Sequence, residues 1–312
     1  MEKMNKRKVI LFTVLTLVFA TVVTVAVSLI SLGIEDPIKA KKVFQAGMVG
    51  AMFIPLIMAL VVKADFRGMG WKPQIRGNVR WIIFSLVVPM LLVAIGAAIF
   101  FLIFPDLFDP KGSYMMEDYR KLGLDLEAQL EASGMTYGTY VLVSLIGCMT
   151  YLPFVNMFAA IGEEIGWRGF LYPELRKGFG RVKTWVIGGV IWGAFHFGAI
   201  LAGGYEYGFD YIGAPVLGPI VFTIFCVSLG VLHEIIYDRT KCIWFPALFH
   251  GSFNAAATMV LCVMSANDPE KLSKYMILGP ASNGLIAGIP IIITAVILGA
   301  YVIRKDRSAG SK

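Results

Sequence analysis

Eight stretches of about twenty or more predominantly apolar residues constrain this chain most, near residues 9–33, 43–62, 81–104, 139–161, 184–203, 211–237, 243–264 and 283–303. A helix needs about 20 such residues to cross the hydrocarbon of a bilayer. Of the 312 residues only 16% are charged and 57% are hydrophobic, against about 25% and 45–50% in soluble domains. That is too little charge to cover a water-facing surface. Intrinsic disorder, a secreted disulfide scaffold and a collagen-like fibre are excluded by the same composition. In lipid every backbone polar group must be satisfied within its own segment or a closed barrel. The expectation is therefore an all-α polytopic transmembrane helix bundle of about eight spans. It forms a single transmembrane domain over 1–312, multi-pass in the cell membrane with the lipid bilayer as its surroundings. The first stretch follows Lys3, Lys6, Arg7 and Lys8. Its apolar run exceeds the 7–15 residues of a signal-peptide core and reads as a retained anchor.

The net charge of +7 follows orientation, so no nucleic-acid partner is expected. Lys and Arg fall twenty to one side of the alternating loops and eight to the other. The positive-inside rule then puts both the N- and C-termini in the cytoplasm. The longest polar interval, 105–138, falls outside as an extracytoplasmic polar loop. It carries seven acidic residues against Lys111, Arg120 and Lys121, with a short surface helix expected over 115–133. Cys148, Cys226, Cys242 and Cys262 form no CxxC pair and read as small core-filling residues.

Polar groups inside apolar runs are costly, about 2.5–3.5 kcal/mol for each charged type on insertion scales, and mark candidate sites. Three places stand out: Glu163-Glu164 with Arg168, His196, and His250 with Asn254. On a helix Glu164 and Arg168 stand at i,i+4 and can pair. Glu163 points roughly 100° away, toward another neighbour. At 1.5 Å per residue, Glu163, His196 and His250 lie about 20, 20 and 14 Å from their flanking basic anchors. A common depth in the cytoplasmic half follows, with a cavity opening toward the cytoplasm. His233-Glu234, with Asp238 and Arg239, reads as an interfacial cluster. Trp167, Trp185, Trp192 and Trp244 read as packing or interface anchors.

A buried Glu beside His can act as a general base. No Ser or Cys has a base partner in sequence, and Ser252 at i+2 from His250 faces away, so water is the natural nucleophile. An imidazole and the Asn254 amide can position that water or stabilise an oxyanion. The same residues could instead hold a divalent metal that activates water, with Glu163, His196 and His250 as its ligands. The residues alone leave both routes open: no cofactor, or one divalent ion such as zinc.

These motifs carry a family resemblance. Glu163-Glu164-Ile165-Gly166-Trp167-Arg168-Gly169 resembles the Glu-Glu-x-x-x-Arg motif of the CPBP family, the CAAX proteases and bacteriocin-processing proteins also called Abi. Trp192 to His196 resembles its Phe-x-x-x-His motif, with Trp in place of Phe, and His250 to Asn254 its His-x-x-x-Asn motif. The segment Tyr237 to Pro246 also resembles the stretch before the third motif. The similarity covers about 150–260, which implies a CPBP-like catalytic core there. The resemblance implies an intramembrane endopeptidase acting on a membrane-associated peptide or protein. Glu163 would activate water, His196, His250 and Asn254 would position it or stabilise the oxyanion, and Glu164 and Arg168 would support the site. The alternatives are a non-proteolytic immunity or scaffold protein that keeps the fold, and a proton-coupled transporter.

Overall fold

The apolar runs fold as helices that turn small and hydroxylated side chains inward and large apolar ones outward. The structure is a computed structural model and describes residues 3–310; Lys312, one of the twenty basic residues counted on the side of the termini, lies outside them. In α1 (Lys6–Leu32) the inward stripe is Phe12, Thr16, Ala20, Thr24 and Ser28, one every four residues. Ile10, Val14, Val18, Val22 and Leu29 face out. Large residues outside and small ones between helices is the arrangement of a protein bathed in lipid, where close backbone approach drives association. Two of the inward hydroxyls bond back along the helix: Thr24 and Ser28 donate to the carbonyls of Ala20 and Thr24, each at 2.7 Å.

The described residues contain no strand. After α1 come α2 (Pro37–Ala51), α3 (Ile54–Val61) and α4 (Val79–Ile103). The 105–138 interval holds two short helices, α5 (Ser113–Lys121) and α6 (Leu126–Ala132). The single helix expected over 115–133 is interrupted at Gly123, whose φ of +72° suits glycine and stops a right-handed helix. The run expected as one span over 139–161 also divides, into α7 (Tyr137–Met149) and α8 (Leu152–Glu164). Pro153 starts the second helix near its N-terminus, where its missing N–H costs nothing. A π-helical stretch, Ile165–Leu171, joins α8 to α9 (Tyr172–Gly178). Then follow α10 (Arg181–Phe195), α11 (Phe197–Gly203), α12 (Leu217–Thr240), α13 (Trp244–Leu261), α14 (Pro269–Tyr275) and α15 (Ile289–Gly310).

Among the described residues five segments are long and apolar enough to cross a membrane: Lys6–Leu32, Pro37–Val61, Val79–Ile103, Arg181–Gly203 and Leu217–Thr240. A sixth is α6 with α7, bent by 90°, if counted as one span. The chain is thus a multi-pass membrane helix bundle. Polar contacts define its two ends. At the near end Asn5 N–H donates to Glu174 and Arg181 pairs with Glu234, Asp238 and Asp306, so both terminal helices finish together. At the far end Lys41 pairs with Asp118, Lys271 with Asp106, and Ile212 N–H donates to the Lys274 carbonyl. All four cysteines are buried and unpaired, as expected of core-filling residues.

α13 occupies the middle and packs against α4, α7, α8 and α12. Its approach to α8 depends on Gly251, where a Cβ would lie 2.5 Å from the Pro153 carbonyl oxygen and 2.6 Å from the Met157 nitrogen. Gly251→Ala should therefore force α8 and α13 apart, costing about 1–3 kcal/mol, the range for overpacking. Equilibrium unfolding in detergent micelles reads this directly, and an unchanged midpoint would contradict the close packing.

Candidate active site

The end of α8 and the π-helical turn aim two adjacent carboxylates in different directions. Glu163 is 2% exposed. Its Oε2 accepts from the indole N–H of Trp167 at 3.0 Å and of Trp192, on α10, at 2.6 Å. An indole N–H can only donate, so both bonds fix the carboxylate as acceptor. Oε1 takes no hydrogen bond from the described residues.

Glu164 is fully buried and faces the other way. Its Oε1 accepts from Arg168 Nη1 at 3.0 Å and His250 Nδ1 at 2.9 Å, with His233 Nε2 at 3.8 Å. The Arg168 guanidinium, also fully buried, lies over the rings of Tyr172 and Trp192 at 4.8 and 4.4 Å. Carbonyl and carboxylate partners can only accept, which sets the histidine tautomers. His196 Nδ1–H donates to the Trp192 carbonyl at 2.9 Å, and His233 Nδ1–H to that of Leu229 at 2.8 Å. His250 Nδ1–H donates to Glu164. In each ring Nε2 is left for other partners.

Glu163, His196, His250 and Asn254 line one cavity of about 690 Å³, so the four sequence-derived candidates share a space. Glu164 and Arg168 sit beneath it. The cavity reaches the far end, where Lys41, Glu206 and Asn283 line it, and no residue of the near-end loops does. This differs from the opening expected on the side of the termini. The physical reason is a plug below the site: Trp167, Arg168 and Tyr172 are each at most 1% exposed.

Sequence reasoning missed three contributors. His233, read as interfacial, is fully buried, its ring 5.4 Å from Trp192 and 5.6 Å from His250. The signal was present: His233 follows Cys226, Leu229 and Gly230 at helical spacing on the buried stripe of α12. Glu234, beside it, is the true end group, held by Arg181 and the Trp185 indole. Trp167 and Trp192, read as packing, are hydrogen-bond donors; Trp167 stands at i+4 from Glu163.

The donor atoms of Glu164, His233 and His250 come within 4.8 Å of one another. Two imidazoles and a carboxylate are plausible zinc ligands by type, but this set does not fit a resident dication. Its single negative charge already faces a guanidinium at 3.0 Å, and the His250 nitrogen turned toward it carries a proton. A divalent ion would displace that proton and stand beside Arg168 in a dry interior. The fully buried pair generates a stability prediction: Arg168→Leu leaves the Glu164 charge unmatched and should cost about 3–5 kcal/mol. Glu164→Gln in the same chain should return part of the loss. Thermal unfolding of the two variants checks this, and an equal loss in both would contradict it.

Residues 144–256 match the family model described as type II CAAX prenyl endopeptidase Rce1-like. No curated protein matches the chain. The matched segment contains Glu163, Glu164, Arg168, His196, His250 and Asn254, and through it the CAAX protease family, CPBP, is the family this chain resembles in its site-bearing part.

Proposed function

We propose that the chain is an intramembrane endopeptidase that hydrolyses a peptide bond of a membrane-associated peptide or protein with water activated by Glu163. One observation carries this reading: two indole N–H groups hold one oxygen of Glu163 while the other is left to the cavity that His196, His250 and Asn254 also line. Water bound at Oε1 gives up a proton as it attacks the carbonyl. His196 Nε2, its tautomer set by the Trp192 carbonyl, accepts the second water hydrogen and fixes the lone pair toward the substrate. The Asn254 amide donates to the oxyanion. His250, its Nδ1–H held by Glu164, donates from Nε2–H to the oxyanion when the ring is protonated. Glu163 then returns its proton to the leaving amine.

In the same reading the eight apolar runs are eight spans, with α7–α8, α13 and α15 joining the more uniformly apolar helices. Both termini are cytoplasmic and the protein resides in the cell membrane. The catalytic core spans 150–260, and 105–138 is the extracytoplasmic loop. The far-end cavity then faces outward, and substrate reaches the site from the outer half of the membrane. No step passes through a metal.

Glu163→Gln keeps both indole contacts geometrically possible but removes the base. It should lower cleavage of a membrane-inserted peptide by about 100-fold or more, the low end for general base catalysis, with expression unchanged. His250→Ala should behave likewise. Mass spectrometry of peptide products from purified protein in vesicles measures both, and a chelator should leave wild-type cleavage intact. Undiminished cleavage by Glu163→Gln would refute the reading.

A further inference from the structure

The cavity contains a second carboxylate that the hydrolytic step does not use. Glu206 lies on its wall, in the loop between α11 and α12. Its backbone has φ of +69°, a region that disfavours residues other than glycine and persists where the surroundings enforce it. Glu206 Oε2 accepts from Asn283 Nδ2 at 2.7 Å. Asn283 is itself 5% exposed and held by the Tyr207 hydroxyl, which donates to its carbonyl at 2.8 Å. Its buried Oδ1 has no hydrogen-bond partner. Lys41, the cation on the same wall, is paired with Asp118 at 2.9 Å. Among the described residues no cation faces Glu206. Burial pushes its carboxyl above the usual carboxylate range, against the pull of the Tyr205 and Asn283 hydrogen bonds.

Glu206 thus lines the cavity without a counter-ion, held only by neutral donors, and the Oδ1 of Asn283 beside it has no donor. A carboxylate on a cavity wall with no counter-ion attracts a cation, and an N–H-rich one forms charge-assisted hydrogen bonds with it. The intervening wall is apolar, with Phe195, Phe222 and Phe225 among its residues. We propose that Glu206 and Asn283 form a subsite for a cationic group of the substrate, a Lys or Arg side chain or a terminal ammonium. The substrate class is then an apolar peptide bearing a basic group on the far-end side of the cleaved bond. This inference rests on the proteolytic reading above.

The test uses full-length protein in phosphatidylcholine vesicles and apolar peptides that differ only in lysine or norleucine at scanned positions. Each is made with a free or an acetylated N-terminus, which separates side-chain from terminal ammonium. Wild type should favour one cationic peptide at least tenfold in kcat/KM, mostly through KM. Glu206→Gln should reduce that ratio toward one, and Glu206→Lys should shift preference to glutamate at the same position. An equal ratio in wild type and Glu206→Gln overturns the subsite. A binding arm is independent of cleavage: hexylammonium should raise the unfolding temperature of wild type more than hexanol does, and the difference should vanish in Glu206→Gln. If no peptide is cleaved but the ammonium difference holds, the proteolytic reading fails and the cation site stands. Equal stabilisation by both probes overturns the site.

Discussion

The ion pair of Glu164 with Arg168 determines the geometry of everything above it. A carboxylate buried among helices cannot remain without hydrogen-bonded partners. It takes one from the next turn of its own segment and one from His250 on α13. The guanidinium in turn rests on Tyr172 and on Trp192 of α10. One buried charge therefore ties together the α8–α9 segment, α10 and α13. These are the elements that carry the candidate site.

Trp192 couples the two carboxylates. Its ring face covers Arg168 while its N–H holds Glu163, so the structural pair and the candidate base share a side chain. Both contacts span four residues, Glu163 to Trp167 and Glu164 to Arg168, so adjacent carboxylates meet adjacent but different donors where α8 passes into the π-helical turn. π-helical turns are rare and often found at functional sites. The site is consequently preorganised: acceptors, tautomers and ring planes are fixed before any substrate enters.

Much of this was legible in the sequence. The adjacent carboxylates were separable by the helical angle alone, which assigned Glu164 to Arg168 and sent Glu163 elsewhere. Rise per residue brought Glu163, His196 and His250 to one level, and they share a cavity. What escaped was set by neighbours across the bundle. Proximity to Asp238 made His233 look interfacial, whereas the small residues Cys226 and Gly230 turn its face inward. The tryptophans looked like membrane anchors because an indole is more often apolar area than donor. Pro153 and Gly123 broke elements that hydropathy alone left whole. The direction of the cavity depended on the plug of Trp167, Arg168 and Tyr172, which is a matter of tertiary packing.

The central claim is that Glu163 Oε1 and an imidazole Nε2 beside it, that of His196 in the proposed step, hold one water molecule. Experimental density at a resolution that shows ordered water tests it most directly. The account predicts a water within about 3 Å of Glu163 Oε1, the usual hydrogen-bond distance, that also contacts at least one of the His196 and His250 imidazoles. A Glu163 carboxylate turned away from both rings, with no solvent between them, would contradict it.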